Sequence, residues 1–188
     1  MAMRWLRLLL VVFVLPLAVS ACALNARPAT YLVETKGPYA LDTGDVVRVT
    51  VYGEAELTKS YRVDDGGSLA LPLIGAVNVR GKTTQMAAAE ITAALAAGYI
   101  REPSVAVEIE TYRPFFIQGA VKNGGQFPYV YGMSVRAAIS TAGGFSDTAD
   151  RGKAILYRRQ GKEMVKGSVN LDFPVYPGDT IVISERWL

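Results

Sequence analysis

The sequence predicts an α+β protein: two small domains of mixed strands and one helix each, behind a cleaved lipoprotein signal peptide. Three observations carry that expectation. Apolar and polar residues alternate over 46–52 and 104–112, the period of half-buried strands. Apolar and small residues recur at helical spacing after Thr83 and after Ser134, and each stripe closes on glycine. The only cysteine of the 188 residues, Cys22, follows an apolar leader directly.

The leader comes first in the chain. Arg4 and Arg7 supply a positive start, and no acid occurs before Glu34. The apolar run over 8–19, broken only by Pro16, is shorter than the roughly 20 residues of a spanning helix. It has the dimensions of a cleaved signal peptide. It ends in Val19-Ser20-Ala21-Cys22, which resembles the lipobox of bacterial lipoproteins, whose cysteine sulfur receives diacylglycerol before cleavage. Residues 1–21 are therefore expected to be removed and Cys22 to be lipidated, and the single cysteine excludes an intramolecular disulfide. Ala23, in place of an aspartate, favours the outer membrane over inner-membrane retention. Loss of Arg4 and Arg7 leaves 18 basic against 17 acidic side chains, a balance that makes no electrostatic case for nucleic acid.

Residues 22–38, with Asn25, Pro28, Gly37 and Pro38 and little periodicity, read as a lipidated tether. Leu41-Asp42-Thr43-Gly44-Asp45 is a turn, and Val47, Val49 and Val51 then alternate with Arg48, Thr50 and Tyr52. Asp64-Asp65-Gly66-Gly67 marks a second turn before short strands at 68–72 and 76–79. Thr83 or Thr84 caps a helix that Gly98 ends, with Ala87, Ile91, Ala94, Leu95 and Gly98 as its inward stripe. In the strand over 104–112, Val105, Val107 and Ile109 face one way and Glu108 and Glu110 the other. Pro114 is the expected boundary. Beyond it come strands at 115–121 and 127–131 around a turn, a short helix capped by Ser134 and closed by Gly143-Gly144, and strands at 153–159, 164–169 and 180–183. Gly44-Asp45 before the first strand is echoed by Gly178-Asp179 before the last. Glycine tolerates the turn and aspartate binds local N–H groups as the strand begins, so a strand-entry turn is the better reading than a ligand site.

Chemistry is sparse. The chain has no histidine, which removes the usual general base and the commonest metal ligand. No catalytic set, metal site or cofactor is expected. Asp64-Asp65 reads as a solvated turn, and Gly81-Lys82-Thr83 only mimics the end of a phosphate loop. Of ten tyrosines, Tyr99, Tyr112, Tyr129 and Tyr131 gather in the middle of the chain, which suits sugar stacking, sheet packing or an interface equally.

From Tyr39 onward the sequence resembles the outer-membrane polysaccharide export family. Tyr39-Ala40-Leu41-Asp42-Thr43-Gly44-Asp45 resembles its strand entry. Gly67-Ser68-Leu69-Ala70-Leu71-Pro72-Leu73-Ile74-Gly75 resembles its "G-x-i-x-l-P-l-i-G" core. Pro103-Ser104-Val105-Ala106-Val107 and Ala142-Gly143-Gly144 follow in order. The resemblance implies an export domain over 39–113, a soluble-ligand-binding β-grasp domain over 114–184 and a short tail at 185–188. It makes structural turn residues of Gly44, Asp45, Pro72, Gly75, Gly119, Gly143, Gly144, Gly178 and Asp179. It implies a homo-oligomeric ring that conducts capsular or extracellular polysaccharide and works with an inner-membrane copolymerase, the protein facing the periplasm from its lipid anchor. Two departures stand out. The family's "G-e-V-x-x-P-G" reads Gly119-Ala120-Val121-Lys122-Asn123-Gly124-Gly125, without the glutamate and proline. The further repeats and amphipathic pore helix of larger members do not follow Glu185-Arg186-Trp187-Leu188, so the expected form is a short one whose outer-membrane pore is either supplied by a separate protein or absent. The competing readings are a monomeric glycan-binding lipoprotein and a non-conducting adaptor of an export assembly.

Overall fold

The computed structural model describes residues 37–161 and 163–186. The leader, Cys22 and most of the tether lie outside the described residues. The fold is α+β, and its strands form three sheets.

The first sheet is antiparallel and ordered β2-β1-β5, with β1 Val46–Val51, β2 Lys59–Arg62 and β5 Val105–Thr111. Its centre is β1 because alternation makes one face wholly apolar: Val47, Val49 and Val51 are buried while Arg48 is exposed. The hairpin β3 (Ser68–Leu71) and β4 (Gly75–Asn78) forms its own two-stranded ladder. Helix α1 (Thr84–Ala96) closes this half. The Thr83 hydroxyl accepts the Met86 N–H at 3.2 Å, and Ala87, Ile91 and Leu95 are buried. Together with Leu41, Leu57, Val63, Leu69, Leu71, Val79 and Val107 they make one hydrophobic cluster. Gly98, expected on the inward stripe, is exposed instead: the helix stops at Ala96, and Gly98 takes φ +121° in the turn beyond it.

The second sheet has five strands in the order β7-β6-β10-β8-β9. They are β6 Phe115–Gly119, β7 Gly125–Phe127, β8 Ala154–Gln160, β9 Glu163–Val169 and β10 Thr180–Ile183. The β6–β10 pair is parallel and the other pairs are antiparallel. Helix α2 (Val135–Thr141) buries Val135, Ala138 and Ile139 in a cluster with Phe115, Ile117, Leu156, Ile181 and Ile183. A mixed sheet with a central parallel pair and one packed helix is a β-grasp-like arrangement.

Two strands differ from the periodicity reading. β2 has only Tyr61 buried among Lys59, Ser60 and Arg62, too polar a run to register as a strand, and it exists because β1 offers it an edge. The strand expected at 127–131 is instead the three residues of β7, starting inside the predicted turn and ending at Phe127. Pro128 has no N–H to continue a ladder. Likewise β6 ends at Gly119, and Val121 makes only an isolated bridge to Phe145.

Candidate functional site

The two Gly-Asp turns share one geometry. Gly44 and Gly178 have φ of +94° and +85°. In each turn the aspartate side chain accepts the backbone N–H three residues earlier, Asp42 onto Asp45 at 2.9 Å and Tyr176 onto Asp179 at 2.7 Å. Each aspartate is almost fully buried, at 0% and 1% exposure, and each is paired with an arginine.

Arg113 is the first of these arginines. It sits between the end of β5 and Pro114, and it meets both turns. Its backbone N–H donates to Asp45 Oδ1 at 2.9 Å, and its Nη1 donates to Asp45 Oδ2 at 3.0 Å and to the Tyr39 hydroxyl oxygen at 2.7 Å. The Tyr39 hydroxyl in turn donates to the Asp45 carboxylate at 2.8 Å. On the other side, a Cβ on Gly178 would stand 3.0 Å from Arg113 Nε, and the Gly178 N–H donates to Pro114 O at 2.9 Å. The glycine at this turn is what leaves room for the guanidinium. Arg113 thus joins the β5–β6 connection to the entry of β1 and the entry of β10.

Arg158 is the second arginine, on the inward face of β8 after Ala154 and Leu156. It forks onto Asp179 through Nε at 2.9 Å and Nη2 at 2.7 Å, and Nη2 also reaches Pro174 O at 2.9 Å. Its guanidinium lies 4.1 Å from the Tyr176 ring centroid and 5.6 Å from that of Phe173. Burial pushes the Asp179 carboxyl up, while the Arg158 fork and the Tyr176 N–H work against that push.

A chain of tyrosines runs beside Arg113. Tyr39 and Tyr112 meet edge to face at 5.0 Å, and Tyr112 and Tyr129 at 5.2 Å. Burial, the largest cause, raises the hydroxyl of Tyr39 well above the ordinary tyrosine range and raises those of Tyr112 and Tyr129 as well. Tyr131 lies just beyond, 78% exposed, whereas Tyr99 is exposed in the turn after α1 and takes no part.

The Asp45 carboxylate is saturated. Asp45 receives donors from Tyr39, from the Asp42 N–H and twice from Arg113, which uses the lone pairs a proton transfer or a metal would need. Among the described residues no group of three or more acids could hold a metal. The Lys82 ammonium is occupied by Glu90 and by Asn78 O, so it cradles no phosphate. The arrangement is a structural joint.

Of the other singled-out residues, Gly75 opens β4, Gly119 ends β6, and Gly143 and Gly144 follow α2. Gly75, Gly119, Gly143 and Gly144 have φ between +71° and +94°, and Pro72 is exposed at the end of β3. Arg113 and Arg158 were not singled out by the sequence, and Tyr39 and Leu73 stood there only as members of the motifs that carry the family resemblance. Arg158 had a signal in the alternation Ala154, Leu156, Arg158, which places an arginine on a core face; Arg113, 68 residues from Asp45, had none.

This pair of folds joined end to end defines a class, and the comparison with known proteins agrees with it. The family profile described as polysaccharide biosynthesis/export protein matches residues 33–110, and that of the SLBB domain matches 114–166. The chain belongs to the polysaccharide export family. It is similar to the exopolysaccharide production protein ExoF of Rhizobium meliloti (strain 1021), 38% identical over 95 residues, 50% of this chain and 22% of ExoF. It is similar to the EPS I polysaccharide export outer membrane protein EpsA of Ralstonia solanacearum, 28% identical over 68% of this chain and 41% of EpsA. To the polysialic acid transport protein KpsD of Escherichia coli it is 26% identical over 79% of this chain and 28% of KpsD. The chain therefore spans well under half the length of these relatives. The family is one of export proteins and not of enzymes.

Proposed function

We propose that this chain is a component of polysaccharide export at the outer membrane, anchored by lipid on Cys22 and facing the periplasm. Subunits assemble into a homo-oligomeric ring that conducts a capsular or extracellular polysaccharide. The observation that carries the reading is the order of the two matched regions, an export region followed by an SLBB region, joined through Arg113. No helix of the described residues is long and apolar enough to cross a membrane, a statement that does not bear on strands. In this reading the chain contributes an enclosed passage and not a reaction, in keeping with a family of export proteins. Closed rings are built from heterologous contacts, in which one face of a subunit meets a different face of the next. The charges suit that: residues 31–115 carry 8 basic and 11 acidic side chains, and 116–188 carry 9 and 6. The proposed partners are an inner-membrane copolymerase and an outer-membrane pore protein.

The test joins two measurements. Deletion is expected to abolish surface polysaccharide, and native mass of the lipidated protein in nanodiscs is expected to give a high-order oligomer. Cys22→Ser should release the protein from the membrane fraction. A monomer in nanodiscs, with the copolymerase present, would replace the conduit by a monomeric glycan-binding lipoprotein. Unchanged surface polysaccharide after deletion would remove the export role.

A further inference from the structure

The tip of the β3–β4 hairpin holds Leu73, which with Glu102 is one of the two non-glycine residues at positive φ among the described residues. The Ile74 N–H donates to Pro72 O at 2.9 Å, closing a three-residue turn with Leu73 at its centre, and Leu73 has φ +71°. That turn is rare and strained, and a bulky residue with positive φ is a genuine outlier. Glycine would fill the position without the Cβ clash, as it does next door at Gly75, where φ is also +71°. The strain does not serve the hydrophobic core, because Leu73 is 57% exposed. Pro72, Gly75 and Ala76 are exposed around it, and no charged residue occurs from Gly66 to Val79. An uncharged apolar tip held out by a strained turn has the character of a contact with another surface.

We infer that Leu73 is the knob by which one copy of this chain docks onto the SLBB half of the next. The inference rests on the ring reading and names the contact. A second copy is the occupant for two reasons. The hairpin belongs to the half with the acidic excess, and the other half carries the basic excess, so heterologous neighbours attract. That other half also offers an apolar acceptor. Val130 and Tyr131 are 65% and 78% exposed. They project from a turn in which the Met133 N–H donates to Val130 O at 3.2 Å and the Gly132 N–H donates to the Tyr129 hydroxyl oxygen at 3.3 Å. Tyr129 is buried against Tyr112, so the turn is a fixed platform. A lipid surface is the poorer match, since the tip carries no cation for headgroup phosphates.

The experiment uses the full lipidated chain in nanodiscs. Leu73→Gly and Leu73→Asp are expected to weaken assembly at least tenfold by native mass. Leu73→Gly should melt no lower than wild type, because it relieves the turn, and Leu73→Met should assemble normally. Leu73→Cys labelled with a benzophenone maleimide should crosslink to peptides from 115–186 of a second copy. A wild type that never assembles removes the ring reading itself. A wild type that assembles while Leu73→Gly assembles equally well overturns this inference alone. Crosslinking into lipid, with vesicle binding by Cys22→Ser protein that depends on Leu73, assigns the tip to the membrane and overturns it too.

Discussion

Asp45 has no solvent exposure, and four donors converge on its two oxygens from two stretches of chain: Tyr39 and Asp42 just ahead of it, and Arg113 far along the sequence. Removing the carboxylate leaves the Tyr39 hydroxyl and two backbone N–H groups without their acceptor and the Arg113 guanidinium without its buried counter-charge, with only the Tyr39 hydroxyl oxygen and the more distant Asp42 carboxylate beside it. Breaking a buried ion pair from one side costs about 3–5 kcal/mol. Asp45→Ala is expected to lower stability by about that much in urea denaturation, and Arg113→Met by less, since it leaves a carboxylate that still holds two backbone donors. A loss under about 1 kcal/mol for Asp45→Ala would mark the joint as a surface pair of little consequence. The Gly-Asp signature of both turns was readable along the chain, because turn chemistry is local. The identities of Arg113 and Arg158 as partners were not, since nothing in local sequence ties Arg113 to a carboxylate 68 residues earlier.

Among the glycines, Gly119 in the parallel pair β6–β10 leaves the least room for a Cβ. Gly119 ends β6 at φ +90°, and a Cβ there would stand 2.1 Å from Ile183 O, a fixed backbone atom. Gly119→Ala therefore adds a steric clash with the ladder to the strain of the left-handed region, and a loss above about 3 kcal/mol is expected. Gly144→Ala is the control: φ is +94° with nothing within 4 Å, so only the backbone term of about 1–2 kcal/mol applies. Thermal melts of the two should separate clearly. Equal melting points would mean that β6 and β10 part easily. Strands with one apolar face, such as β1 and β5, are visible as period-two patterns. β2 and β7 are not, because a short polar strand exists only where a neighbouring edge supplies its hydrogen bonds.

At the scale of the whole molecule, buried tyrosines tie stability to pH. Burial raises the hydroxyls of Tyr39, Tyr61, Tyr112 and Tyr129. The folded protein keeps them protonated at a pH where the unfolded chain would ionise them. Their contribution is therefore fully present below the unfolded value of about 10 and is lost as pH rises from there through the raised values of the folded state. Alkaline titration should show tyrosinate absorbance in two stages, the later one coinciding with loss of the far-ultraviolet dichroism of the fold. A single smooth titration with the fold intact would contradict the buried tyrosine chain. The proposed Cys22 anchor and the proposed subunit contacts belong to this same scale, and their tests are those of the proposed export role.

The sequence by itself determined the α+β class, both helices with a Ser134 cap on one and a threonine cap on the other that the structure gives to Thr83 and not Thr84, and the apolar faces of the longer strands, because periodicity and capping are short-range physics. It also carried the family, through turn motifs spread in order along the chain. Only the tertiary structure decided which arginine meets which aspartate and that Tyr39, Tyr112 and Tyr129 stack in series. It alone showed that Leu73, one apolar residue among several in its segment, is strained and turned outward. Side-chain pairing and solvent exposure depend on what the rest of the chain brings alongside, and no local pattern encodes that.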